Sequence, residues 1–410
     1  MQTTKQQLFP ALRFPEFEGE WQRVKLGEIG EFRGGGTPST KKESYWMGNI
    51  PWVSSSDLEE GNIYKINISK YITEEAIDNS ATKLLPANSI LIVSRVGVGK
   101  LAINEVAICT SQDFSNFISK NCHVHYVALY LEHHKAKLKN LSQGTSIKGF
   151  TLDVIKTFKI NIPSQPAEQQ KIAHFLATID KKKALLEELS QHLIVLKKGL
   201  MQQLFSQQLR FWDKNGEEFP AWEVKRLGEV FERVKTKNKE NNKNVLTISA
   251  QLGLISQLEF FSKTVSAKNI IGYYLLEKGD FAYNKSYSKG YPLGAIKKLN
   301  RYDKGVVSTL YICFKPKNKQ FSPFFEKYFE HSSINKELYK IAQEGARNHG
   351  LLNVSIRDFF ELIKIPLPSL PEQEKIVNLL SCLDQKIQNI QAQLEEMQDY
   401  KKGLLQQILV

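Results

Sequence analysis

Leu12-Arg13-Phe14-Pro15-Glu16-Phe17, followed by Trp21 and Leu26-Gly27-Glu28, returns later in the chain as Leu209-Arg210-Phe211-Trp212, followed by Trp222 and Leu227-Gly228-Glu229. A second pair of segments repeats behind them. Pro166-Ala167-Glu168-Gln169 with Lys197-Lys198-Gly199-Leu200 reappears as Pro371-Glu372-Gln373 with Lys401-Lys402-Gly403-Leu404. The offset between copies grows from 197 to 201 to 204 residues. That period is too long for a solenoid unit and fits a duplicated globular domain with its connector.

The connectors give the clearest local signal. After Pro166, apolar residues fall at Ile172, Phe175, Ile179, Leu186, Leu189, Leu193, Leu196, Leu200 and Leu204; after Pro371 they fall at Ile376, Leu380, Leu383, Ile387, Ile390, Leu394, Met397, Leu404 and Ile408. Steps of three and four predict two long amphipathic helices, each with a coiled-coil seam. Ile172, Ile179, Leu186, Leu193 and Leu200 face Ile376, Leu383, Ile390 and Met397 in that reading, and Lys182 and Lys401 interrupt the two seams. Pro166 and Pro371 suit the first helical turn, where Glu168 and Glu372 add the favoured negative charge. Each helix would run roughly 40 residues, or about 60 Å. An apolar stripe of that length needs a partner, and the simplest partner for each is the other, packed antiparallel because the chain must return between them. The expected fold class is therefore α+β: two similar α/β domains separated by two long helices in an antiparallel coiled coil, with internal pseudo-twofold symmetry.

The expected parse is an N-terminal segment at 1–20, a first domain at 21–165, a connector helix at 166–206, a linker at 207–221, a second domain at 222–368 and a second connector at 369–410. In the first domain, Ser89–Ser94, Leu101–Ile103 and Phe158–Pro163 suit strands, and Val124–Leu141 suits a helix. In the second, Val245–Ile248, Phe281–Asn284, Gly294–Ile296 and Ser308–Phe314 suit strands, and Pro323–Gln343 suits a helix. Gln143-Gly144 and Glu344-Gly345 coincide in the repeat frame. Between these shared edges the copies differ.

A chain of 410 residues with 41% hydrophobic and 24% charged residues has the composition of an ordinary globular protein with more than one core. Four well-separated cysteines without CxxC spacing suggest free thiols, and no long apolar run suggests a membrane span, so a cytoplasmic location is expected. The net charge of +13 is unevenly spread. Glu20 to Gln165 holds 17 basic against 14 acidic residues, whereas Pro220 to Pro368 holds 25 against 14. A basic domain attracts a polyanion such as nucleic acid.

Catalytic motifs are missing. Arg95-Val96-Gly97-Val98-Gly99-Lys100 lacks the first glycine of a phosphate loop and has Leu101 where a magnesium-binding hydroxyl belongs. Gly34-Gly35-Gly36 lacks the GxGxxG order. His123, His125, His133 and His134 have no nearby Cys or Asp that completes a zinc spacing, so no metal is expected. No bond-making step is assigned to this chain.

Together the edge motifs resemble the DNA-specificity subunit of type I restriction-modification enzymes. The resemblance rests on Trp21-Gln22-Arg23-Val24-Lys25-Leu26-Gly27-Glu28, Ile50-Pro51-Trp52-Val53 with Ser56-Asp57-Leu58, Ser142-Gln143-Gly144-Thr145, and Ile162-Pro163 followed by Pro166-x-Glu168-Gln169. It rests equally on Trp222 to Glu229, Gly279 to Lys285, and Ile365-Pro366-Leu367-Pro368 followed by Pro371-x-Gln373. The resemblance implies two target recognition domains, each reading one half of a bipartite asymmetric site in double-stranded DNA, with the helices as a ruler. It also implies two modification (methyltransferase) subunits and, in the full complex, restriction subunits. S-adenosylmethionine, ATP and magnesium would belong to those partners, and no cofactor to this chain. A two-domain protein-binding scaffold with incidental basic charge is the competing reading. An Asn-Pro-Pro-aromatic tetrapeptide, expected of an amino-group methyltransferase, is absent.

Base reading needs Arg, Lys, Asn, Gln or hydroxyl side chains on exposed loops, and phosphate binding needs positive charge. The candidate DNA-binding residues are accordingly Arg33, Thr37, Ser54, Ser55, Ser94, Arg95 and Lys100 in the first domain, with Lys235, Lys237, Asn284, Lys285 and Lys289 in the second.

Overall fold

The computed structural model describes residues 9–142, 149–249, 252–261, 270–287, 290–342 and 352–409. The chain divides into two compact units, one made of Met1–Glu187 with Ala392–Val410, the other of Glu188–Gln391. Each unit therefore takes part of both long helices, Pro166–Phe205 and Leu370–Ile408.

The centre of the first unit is a four-stranded antiparallel sheet in the order Gly30–Gly34, Ser115–Ser119, Ser89–Ile92, Leu101–Ile103. The second unit repeats it with Phe231–Arg233, Ile312–Pro316, Phe281–Asn284 and Ala295–Lys298. In both, a separate two-stranded ribbon pairs the strand after the tryptophan with the strand before the long helix: Gln22–Lys25 with Lys159–Ile162, and Glu223–Arg226 with Lys364–Leu367. A short helix, Leu26–Ile29 or Leu227–Val230, links ribbon to sheet. The Leu-Gly-Glu signature is this link. Its leucine is fully buried in each copy, and its glutamate reaches back to the N–H of Lys25 at 2.8 Å or of Arg226 at 2.6 Å.

Equivalent core positions are filled differently. Gly30 opens the edge strand of the first sheet, and a Cβ there would lie 2.2 Å from the Phe117 ring. Phe231 holds that place in the second, packed against Phe281, Phe314, Phe325 and Phe329 with ring centroids 5.0–5.9 Å apart.

The opening motif of each repeat caps a long helix. Glu168 is fully buried and accepts hydrogen bonds from Arg13 Nε and Nη2, both at 2.7 Å, and from Trp21 Nε1 at 3.2 Å. Glu372 is equally buried and takes Arg210 Nε at 3.1 Å, Arg210 Nη2 at 2.9 Å and Trp222 Nε1 at 2.9 Å. The carboxylates do more than complement a helix dipole. A buried charge is tolerated only when its lone pairs are occupied, and a two-pronged guanidinium with an indole does that.

Within the first unit, Ile172 and Leu176 of the first long helix share a core with Leu404 and Ile408 of the second, and Lys401 pairs with Asp180. Within the second, Met201 and Leu204 share a core with Ile376 and Leu380, and Lys197 Nζ lies 2.6 Å from Asp384. Ile172 and Ile376 are buried, as are Leu383 and Ile390, while Ile179, Leu186, Leu193, Leu200 and Met397 are half-buried. Lys182 is exposed, so the lysine that matches Lys401 is Lys197. Burial opposes ionisation of Asp384, but Lys197 and Lys327 together hold its carboxyl below the ordinary value.

Two expected helices are shorter than their periodicity suggests. Val124–His133 stops where His134 stacks on Tyr130 at 4.2 Å, and a second helix follows at Lys135–Asn140. The other helix divides into Ser322–Glu330 and Asn335–Ile341, with Ser332 in the left-handed region at φ 63. The expected strand Ser308–Phe314 is corrected too: a strand ends at Val307, residues 308–311 form a turn, and the next strand starts at Ile312.

Removing a partner from a buried ion pair costs about 3–5 kcal/mol, against about 0–1 kcal/mol for an exposed one. Glu168→Ala is therefore expected to lower the urea unfolding midpoint of the first unit strongly, and Glu75→Ala, which breaks the exposed Lys42 pair, barely. Equal midpoints for the two variants would contradict the assignment of Glu168 as a structural hub.

Candidate nucleic-acid interface

Antiparallel pairing brings four chain segments to one end of each sheet. In the first unit Gly34, Ser115, Ile92 and Leu101 lie there in register. The other end of the Ser115–Ser119 strand leads toward His123, whose N–H donates to Gln169 Oε1 of the long helix at 2.9 Å. The free end carries the loops, among them most of the candidate residues.

Arg33 is exposed and paired with Glu31 at 2.9 Å. Beyond it, Gly35 and Gly36 let the chain lie flat against the neighbouring loop. A Cβ on Gly35 would meet Ser111 O at 2.0 Å, and one on Gly36 would meet Thr82 N at 2.4 Å. Gly36 N donates to Thr110 O at 2.8 Å, and the indole of Trp52 donates to Gly36 O at 3.0 Å. Thr37, placed at the rim by this packing, donates its hydroxyl to Gln112 Oε1.

Ser94 and Arg95 follow the third strand of the sheet, which ends at Ile92. Ser94 is 3% exposed, and its Oγ and N both donate to Asp113 O, at 3.1 and 2.7 Å. Arg95 points its N–H at the same carbonyl, at 3.1 Å, and its side chain is exposed. The next residue, Val96, has φ 43 and is 59% exposed. A β-branched residue in that region stores strain, which concentrates at functional sites. Lys100 is half-buried and donates Nζ to Leu58 O at 2.9 Å and Ser55 O at 3.3 Å. Ser54 accompanies this contact, its hydroxyl bonded to Asp57 at 2.8 Å. Ser54, Ser55 and Lys100 thus form a linked group that braces the tip from the side.

The same end of the second sheet gathers Arg233, Ile312, Asn284 and Ala295. Lys235 is exposed just after the edge strand. Lys237 donates to Gly272 O at 2.8 Å and sits over the Tyr274 ring at 4.0 Å, which fixes its stem while the chain around it stays at the surface. Asn284 Oδ1 accepts from Ser286 N at 3.0 Å, and Lys285 O accepts from Leu352 N at 3.0 Å. Lys289 lies outside the described residues, as do Gln143-Gly144-Thr145 and Glu344-Gly345. The segments that flank them, Gly149-Phe150 and Leu352, return to this end through Arg95, Ser94 and Lys285.

Residue-type reasoning passed over Gln112, an exposed amide between two strands. The one available signal was a polar Ser-Gln-Asp turn inside an apolar run. Burial, first, holds His123, His125, His133 and His134 below the ordinary imidazole value. No group of three His, Cys, Asp or Glu side chains that could hold a metal ion occurs among the described residues. No described helix is long and apolar enough to cross a membrane.

Comparison with known proteins places the chain beside one group. The family model described as type I restriction modification DNA specificity domain matches residues 18–193 and 221–398. The MjaIX specificity subunit of Methanocaldococcus jannaschii is 34% identical over 52% of this chain and 51% of that protein. The EcoR124I/EcoR124II specificity subunit of Escherichia coli is 37% identical over 41% of this chain and 43% of that protein. The chain thus matches about half the length of each. The MjaVIII specificity subunit of M. jannaschii is 26% identical over 97% of this chain and 93% of its own. Among solved structures, the type I restriction-modification S subunit from M. genitalium superposes with a TM-score of 0.59 at 16% identity, covering 98% of this chain and 99% of that one.

Overpacking a close contact costs about 1–3 kcal/mol. Gly35→Ala is expected to lower stability by about that amount and to raise hydrogen exchange across residues 110–114, whereas Gly199→Ala, with open space around it in the long helix, raises stability by about 0.5–1 kcal/mol and leaves exchange at 110–114 unchanged. Exchange at 110–114 that is insensitive to Gly35→Ala would contradict the close approach of the two loops.

Proposed function

The chain belongs to the type I restriction-modification DNA specificity family, and from that premise we propose that it reads a bipartite asymmetric DNA site, one half with each unit, without itself catalysing a reaction. The observation that carries this reading is the double gathering of loops at one end of two matched sheets, with different polar residues in each. Such a design keeps a framework constant and varies the groups that meet base edges.

Roles follow from position. Arg33, Arg95, Lys235 and Lys285 supply charge and directional donors at the rim. Ser94, Ser54, Ser55 and Lys100 hold the loops that present them. Phosphate attraction is sequence-blind and falls with salt, so the larger basic excess of the second unit adds affinity more than specificity.

The helices act as the ruler in this proposal. Within each unit the two helices are joined by an ion pair, Asp180 with Lys401 in one and Lys197 with Asp384 in the other. Modification subunits, two per chain, would bring the methyltransferase chemistry with S-adenosylmethionine; restriction subunits would bring ATP and magnesium.

An insertion of four residues, about one turn or 5.4 Å, would shift the reading heads by between one and two base-pair steps of about 3.4 Å. Inserted near Leu193, it is expected to lengthen the gap in the methylated site while leaving both half-sites intact. A methylome of cells expressing this variant with its modification subunit gives the answer directly. An unchanged gap would sink the ruler.

A further inference from the structure

At the free end of each sheet, one four-residue turn enters the second strand. Ser111-Gln112-Asp113-Phe114 is closed by Phe114 N donating to Ser111 O at 3.3 Å. Ser308-Thr309-Leu310-Tyr311 is closed by Tyr311 N donating to Ser308 O at 3.1 Å. Both turns stand the same number of residues before the matched ring of their strand, Phe117 and Phe314. Their outer residues agree in type, a serine and an aromatic, and the aromatics turn inward: Phe114 is buried and Tyr311 packs on a core cluster. Their central residues disagree, Gln112-Asp113 against Thr309-Leu310.

The central residues are also the ones displayed. Gln112 and Thr309 are exposed, and Leu310 is 59% exposed and belongs to no core cluster among the described residues. The Leu310 side chain thus stands clear of the core at the tip of the turn, open to a contact from outside. The first turn is held in place from two sides. Ser94 and Arg95 place three donors on Asp113 O, and Gly35 lies against Ser111 O. Thr37 then takes one lone pair of Gln112 Oε1, so the amide is oriented before anything binds, and the second lone pair of Oε1 and the Nε2 donors are left to offer.

We propose that this turn is the base-reading head of each unit: Gln112 contacts an adenine of the first half-site, and Leu310, flanked by the Thr309 hydroxyl, contacts a thymine methyl of the second. Glutamine matches the donor and acceptor edge of adenine in the major groove, and an apolar side chain is selected by the thymine methyl. The inference rests on the DNA-recognition reading and deepens it. It assigns to equivalent turns, at adjacent places within them, the residues that make two similar units read different words.

The test is a methylome of cells expressing the full chain with its modification subunit, wild type beside Gln112→Ala, Gln112→Glu and Leu310→Ala. Gln112→Ala is expected to relax one position of the first half-site by about tenfold or more, with the second half-site and the gap unchanged. Gln112→Glu is expected to move the preference at that position from adenine toward cytosine, whose amino group suits a carboxylate acceptor. Leu310→Ala is expected to relax one position of the second half-site alone. Each map carries its own folding control, because the half-site read by the other unit must persist. Unchanged words in all three variants would overturn the proposal. So would a uniform loss of methylation at every site, which marks a backbone contact, or a change in the wrong half-site. A wild-type map without any bipartite word would instead defeat the recognition reading itself.

Discussion

Two buried carboxylates organise this molecule. Glu168 and Glu372 stand in the first turns of the long helices. Each is ligated by an arginine and a tryptophan that arrive from more than a hundred residues earlier in the chain. Left unpaired, a buried charge of this kind would destabilise its unit by several kcal/mol. Satisfied, it fixes three things at once: the segment that precedes the domain, the ribbon that opens the sheet, and the angle at which the helix departs. The strands of the ribbon and the short Leu-Gly-Glu helix follow from that junction, and the sheet is hung from them.

The junction was legible as a repeat before its chemistry was known. Leu-Arg-Phe and the tryptophan recurred because they belong to one contact, yet the sequence presents them far from the glutamate they serve. The long helices were legible for a different reason, since periodicity over 40 residues leaves little choice of secondary structure. Strands with apolar runs on both sides, such as Phe281–Asn284, agreed with expectation to the residue. Failures fell where local propensity and tertiary contact disagree. Ser-Thr-Leu-Tyr at 308–311 has strand-forming residues, but the frame of the sheet needs a turn there. His134 breaks a helix because its ring stacks on Tyr130 and its Nδ1 meets the Tyr130 carbonyl at 3.1 Å.

The candidate site was half visible. Thr37 and Arg95, which follow strands, lie at the same end of the sheet as Arg33, the penultimate residue of its strand. The sorting of contact from support was invisible, because it depends on which carbonyl a side chain reaches. Ser94 and Lys100 look from sequence like Arg95, and only the hydrogen bonds to Asp113, Leu58 and Ser55 separate them. Gln112 was missed for the converse reason: nothing near it in sequence shows that Thr37 sets its amide.

Gly30 and Phe231 hold the same place in two sheets and fill it in opposite ways. Copying phenylalanine into the first would drive a ring into Phe117, since even a Cβ would lie 2.2 Å from it. Copying glycine into the second would leave a hole among Phe281, Phe314, Phe325 and Phe329, at a cost of about 3–5 kcal/mol. Gene conversion that patches a few codons from one repeat into the other would therefore yield misfit hybrids. A piece large enough to carry a whole core avoids this misfit, because each residue then keeps the neighbours that fit it.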